Sequence, residues 1–308
     1  MYLSRIPPEI LRAILAFALD HHPCPCDMLC VNKTFLELGQ LVLHGQLHFR
    51  SINQLILFGK GRAPLVCPPR TVVIALAGGS ADSEVFRHLM GALKRCQRSH
   101  ATAGGRNALD GHTSNGNSET AKVTLDILAL RLHSHSSKPH LGHIKQALSM
   151  VNPKTFIFRG PELEHNFSTA IDSMATHHVL WAMSTWTIVR HVTLTNLCFP
   201  SDELGLNTLF SHGAPLLPPL PTLHALYISQ ATLLPPTGIA AMIAGQDHEA
   251  LECVHLVDAY RHSVWGNQIR LRDVEDAVLQ LRTMGPKERV EALEHVRGVV
   301  ICETTEGA

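Results

Sequence analysis

The sequence has no excess of either charge, since Lys+Arg and Asp+Glu each total 26. Without a basic surplus there is no broad footprint for a nucleic acid backbone or an anionic membrane, so neither is an expected partner. Uninterrupted apolar runs of bilayer-spanning length are also missing. The apolar start "MYLSRIPPEILRAILAFALD" is broken by Pro7, Pro8, Glu9 and Arg12, where an export signal needs an uncharged core. The eight cysteines follow no regular spacing, which argues against a disulfide framework. The expected location is therefore cytoplasmic and/or nuclear, where the sequons at Asn32 and Asn166 carry no sugar.

Catalytic signatures are equally scarce. "FGKGRAP" has the glycines of a phosphate loop but neither its spacing nor a hydroxyl residue after Lys60. "HEALE" at His248 ends in Glu252, where a zinc-protease helix needs its second histidine. "GGSAD" lacks the glycine that follows the serine of a nucleophile elbow. The expectation is a protein that is not an enzyme and has no cofactor.

What is abundant is histidine, 21 residues in all. One concentration, with cysteine, is "DHHPCPCDMLC", Asp20 to Cys30. His21, His22, Cys24 and Cys26 are soft ligands, but C-x-C is tighter than the usual zinc spacing and no second knuckle follows. The other is "HSHSSKPHLGH", with His133, His135, His140 and His143. These gather a metal only if a strand end and the next helix fold together, so loop histidines and no metal are the expectation.

The chain's 308 residues exceed what one hydrophobic core usually spans, which favours two domains or an array of repeats. Up to residue 50 the pattern is helical. Ile10, Leu11, Ile14, Leu15 and Ala18 share one helical face, ended by His21, His22 and Pro23, and a second segment starts near Asp27. Beyond residue 50, short β-like runs alternate with helical candidates, and L-x-x-L-x-L followed by a later apolar position recurs. Its best copy is "LHALYISQATL", with Leu223, Leu226, Ile228 and Leu233.

Further copies begin at Leu125, Pro153, Val189 and Leu251, with another expected strand at "INQLILF" from Ile52 and one at "TVVIALAGG" from Thr71. Starts at 125, 153, 189, 223 and 251 are spaced by 28, 36, 34 and 28 residues, longer in part than the usual leucine-rich spacing. The ninth-position Asn is replaced by Leu197, Ala231 and Ala259. The expected fold class is α/β: a short all-helical module over 1–50, then an irregular array of parallel strands with outer helices over 51–308. Residues 96–122, rich in Gly, Ser, Thr and Asn, are expected to be a disordered insertion.

The start "IPPEILRAILAFAL" with "MLCVNKTFLEL" resembles an F-box. Pro7, Glu9, Ile10, Leu11, Ile14, Leu15 and Phe17 stand in register with that family, Ile6 replaces its usual Leu, and Phe35 its usual Trp. In this register Cys30 takes a position that is often buried. "LHFRSINQLILF" and "LVDAYRHSVWGNQIRLRDVEDAV" are similar to the F-box-like families of mushroom-forming fungi, where leucine-rich strands precede the second block.

The resemblance implies an adaptor of a Skp/cullin/F-box ubiquitin ligase. Its helical face, Ile6, Pro7, Ile10, Leu11, Ile14, Leu15 and Phe35, would bind a Skp-type adaptor protein within a cullin complex. The array would hold an unknown protein target on the side chains between its buried strand positions, with Arg131, Arg159, His191, Tyr227 and His255 as the expected contacts. Trp265 is expected in the core. The alternative is a repeat scaffold that binds a protein partner independently of a ligase.

Overall fold

In the computed structural model, residues 6–22, 24–76, 84–104, 122–132, 140–160, 171–200, 214–281 and 284–305 are described. The chain begins with helices and continues as alternating parallel strands and helices in one unclosed sheet. It is an α/β protein. The eight strands are β1 Gln46–Phe49, β2 Thr71–Ala75, β3 Val123–Arg131, β4 Val151–Arg159, β5 His191–Thr195, β6 Ala225–Ser229, β7 Cys253–Val257 and β8 Val300–Glu303. They lie side by side in chain order, every neighbour parallel. Parallel neighbours in chain order need a crossover connection between each strand and the next, which is what strand-then-helix alternation supplies.

The leucine pattern fixes the register. Leu47, Val72, Leu128, Phe156, Val192, Leu226, Val254 and Val300 form one buried row across all eight strands. Two residues further on, Phe49, Ile74, Leu130, Phe158, Leu194, Ile228 and Leu256 form a second row. The five recurrent starting positions, Leu125, Pro153, Val189, Leu223 and Leu251, are all buried too. Each full burial of such a side chain contributes roughly 1.5–3 kcal/mol, so the rows dominate the stability of the sheet. Pro153 is tolerated because β4 pairs only with β3 at that level, β5 beginning opposite Thr155.

Three helices precede the array: α1 Pro8–His21, α2 Pro25–Leu29 and α3 Lys33–Gly45. Asn32 caps α3 by accepting from the Phe35 N–H at 2.9 Å. No linker separates module from sheet. α3 runs straight into β1, Arg70 N–H donates to the Gly45 carbonyl at 2.9 Å, and Val66 N–H donates to His44 Nδ1 at 2.9 Å. The sheet thus starts at Gln46, inside the stretch expected to be all helical.

The strand expected at "INQLILF" is a helix, α4 Ile52–Lys60. Ser51 accepts from the Gln54 N–H at 3.2 Å, and Gln54 Oε1 accepts from the Arg50 N–H at 2.7 Å. This cap at Ser51, with Gln54 reaching back to the preceding Arg50, starts a helix despite the apolar run and sends Leu55 into the core while Leu57 faces out. The next helix, α5 Glu84–Gly104, continues through 96–104, so that part of the expected disordered insertion is helical. Residues 105–121 lie outside the described residues.

The remaining helices are α6 Gly142–Leu148, α7 Ser173–Met183, α8 Pro236–Ala244, α9 Leu271–Gln280 and α10 Pro286–Val299. The helix expected over 201–210 falls outside the described residues. At Leu233 the apolar phase slips by one: Leu233 has φ 53° and is half-buried, and Leu234 takes the buried place. No helix among the described residues is long and apolar enough to cross a membrane.

Candidate functional site

Among the described residues, two surfaces present side chains that the core does not use. The first is on α1. Leu11, Leu15 and Leu19 are buried within the helical module, so the first two are packing residues here, unlike their expected place in the partner-binding set. The spacing of four and three residues puts Ile10, Ile14 and Phe17 on a neighbouring stripe of the helix that faces outward, 54%, 52% and 70% exposed. Val31 and Leu36 are exposed large apolar residues of the same module, while Ile6 and Phe35 are half-buried and Pro7 is exposed. Phe17, Val31 and Leu36 were not among the expected contacts. The i, i+4, i+7 stripe was readable, but which of two adjacent stripes faces inward depended on where α3 packs.

Between this module and the start of the sheet lies an open groove of about 940 Å³, lined among others by Phe17, His44, Arg50, Leu57, Phe58 and Arg95. Arg95 closes its floor: Nη1 donates to the Phe58 carbonyl at 2.7 Å, and the guanidinium lies 4.4 Å from the Phe58 ring centroid. Burial, and then the Arg95 charge, push the His44 imidazole below its ordinary value.

The second surface is the face of the sheet opposite the buried rows. Here the register lines up three rows of side chains. One contains Ile127, Thr155, His191, Ala225 and Cys253. The next contains Ala129, Ile157, Thr193, Tyr227, His255 and Ile301, and the third Arg131, Arg159, Thr195, Ser229, Val257 and Glu303. Of the expected target contacts, Arg131 and Arg159 are therefore immediate neighbours, both exposed, and Tyr227 and His255 another pair. Neither arginine forms an ion pair with a described residue. His191 stands one row away, also exposed.

The Tyr227 and His255 rings meet edge to face with centroids 5.2 Å apart, and His255 Nε2 lies 3.0 Å from Glu303 Oε2. The face is thus graded along the strand order, cationic at β3 and β4 and aromatic with one carboxylate at β6 to β8. Gln54, Ile56 and Phe58, which alternate along the strand expected at "INQLILF", do not belong to this face, since they are in α4; Gln46 and His48 of β1 take that place. Trp265 is 74% exposed on the 260–268 loop, which the Tyr260 to Gln268 bridge closes. The core tryptophan is Trp186 instead.

The cysteine-histidine stretch spans the end of α1, a short connection and the whole of α2, with Cys26 inside α2 and Cys24 and Cys30 at its two ends. His21 Nδ1 is 2.8 Å from the Phe17 carbonyl oxygen, and His22 Nδ1 is 2.7 Å from that of Cys24. Cys24, Cys26 and Cys30 are all exposed, contrary to the buried place expected for Cys30. The backbone contacts of both histidines fix the turn. His140 and His143 come together beside Glu84, while His133 and His135 lie outside the described residues.

No family model matches the chain, and no curated protein matches it either. The class its structure defines is an α/β protein with N-terminal helices followed by an open parallel sheet of eight strands.

Proposed function

We propose that the chain is a non-enzymatic target-recognition adaptor of a Skp/cullin/F-box ubiquitin ligase. In this reading the N-terminal helices are an F-box that binds a Skp-type adaptor protein, and the strand-helix array is a degenerate leucine-rich-repeat domain that holds a protein target. The observation that carries the reading is the exposed Ile10, Ile14 and Phe17 stripe on a module whose own packing is already satisfied by Leu11, Leu15 and Leu19. Three large apolar side chains in line on one helix fit a partner's groove through i, i+4, i+7 anchors. The open sheet face supplies the second half, with paired arginines and an aromatic pair of the kind that dominate protein interfaces.

The test is co-purification of the full chain with a Skp-type adaptor and cullin. Wild type is expected to retain both, and Ile14→Asp with Phe17→Asp to lose both while melting normally. A wild-type chain that retains neither would leave a ligase-independent scaffold as the reading.

A further inference from the structure

The histidines at the start of α6 meet a carboxylate from the first residue of α5. His140 Nδ1 lies 3.7 Å from Glu84 Oε1, and the His140 and His143 rings stack at 5.6 Å with planes 15° apart. One ligand atom from each of Glu84, His140 and His143 lies within 4.8 Å of the others. His143 Nδ1 is shielded from solvent and has no hydrogen-bond partner among the described residues. A shielded nitrogen left unsatisfied is unfavourable, which leaves it available to a further ligand.

Arg87 takes the other carboxylate oxygen, Oε2, at 2.5 Å, which fixes Glu84 and leaves Oε1 turned toward the imidazoles. Two imidazoles and one carboxylate are the donor set that borderline divalent ions prefer, and they leave a coordination position open. Tetrahedral zinc with bonds of about 2.0–2.1 Å separates its ligand atoms by roughly 3.3 Å, a closure that rotation of half-buried side chains supplies. We propose that Glu84, His140 and His143 form a Zn²⁺ site, completed by water, that clamps the start of α5 to α6 on the helical side of the sheet.

The test is calorimetric titration of the metal-free full chain with Zn²⁺, alongside Co²⁺ as a spectroscopic probe. One equivalent is expected, with visible Co²⁺ bands and no thiolate charge-transfer band. His140→Ala, His143→Ala and Glu84→Gln are each expected to weaken binding at least tenfold, and Cys24→Ser with Cys26→Ser to leave it unchanged. Metal-free melting should be unaltered in Glu84→Gln, which keeps the carboxylate's shape and so reports on binding even if a histidine variant misfolds. Absence of binding to the folded chain, wild-type affinity in Glu84→Gln and the histidine variants, or a Co²⁺ spectrum dominated by thiolate would each overturn the proposal.

Discussion

The Trp186 indole N–H donates to the Leu148 carbonyl at 3.0 Å, joining the turn after α7 to the end of α6 inside the core. The same ring meets Phe156 edge to face at 4.8 Å. A helix C-terminus leaves its last carbonyls unpaired, and here a side chain from the neighbouring strand-helix unit satisfies one of them. Trp186→Phe keeps most of the ring but strands that carbonyl, so a loss of about 1–2 kcal/mol is expected in urea denaturation. Trp186→Ala should lose about 3–5 kcal/mol, and equal losses in the two variants would show that the bond contributes nothing.

On α1, adjacent residues have opposite duties. Leu15→Ala empties a fully buried position and should destabilise the module by about 2–5 kcal/mol. Ile14→Ala, at a position 52% exposed, should change stability by less than about 0.5 kcal/mol. Thermal melts of the two variants check this, and a similar cost in both would mean that Ile14 packs in the free protein.

Several buried imidazoles make stability depend on pH. Burial holds His248 below its ordinary value, and its Nε2 lies 3.0 Å from the Pro218 carbonyl oxygen. Burial likewise lowers His177 and His178, and the latter also faces His177 and Lys145. The folded state resists protons that the unfolded chain accepts, so stability is complete above the unfolded value near 6.5 and is lost as pH falls below it. Melting temperature is expected to drop between pH 7.5 and 5.5, with a shallower slope in His248→Gln. An upward trend on acidification would contradict the assignment.

Thiol reactivity should divide sharply. Burial pushes the Cys96 thiol up to about 12 and the Cys302 thiol up to about 11, which keeps both protonated at neutral pH. Cys24, Cys26 and Cys30 are exposed. Of the eight cysteines, these three should react with Ellman's reagent in the native protein well before the others, and all eight in denaturant. Modification of Cys96 on the same timescale as Cys24 would count against the packing of α5.

Arg131 and Arg159 stand side by side on the open face without an ion pair among the described residues. Replacing both by Ala relieves like-charge contact and should cost no stability, a change within about 0.5 kcal/mol. If the chain is the adaptor proposed above, capture of its protein target should nevertheless be lost, because exposed arginines of this kind anchor interfaces. Retained capture by the double variant, measured in a pull-down against wild type, would move the recognition surface elsewhere.

The sequence by itself determined the α/β class and most of the strand register. Period-two burial at positions such as Leu226 and Ile228 repeats unit after unit, and local alternation is enough to say which side chains face the core. The three rows on the open face, including Arg131 beside Arg159, follow from that register. The helix α4 was also written in the sequence, as Ser51 and Gln54 three residues apart, but an apolar run obscured it. Tertiary structure decided what depends on contacts between distant segments. Packing of α3 chose Leu11 and Leu15, rather than Ile10 and Ile14, as the buried stripe of α1. Tertiary packing put Trp186 inside and Trp265 outside, a difference that the neighbouring residues of neither tryptophan announce. It also brought Glu84 to His140 and His143 across more than fifty residues of chain, a proximity set by the stacking of successive helices and invisible to any local pattern.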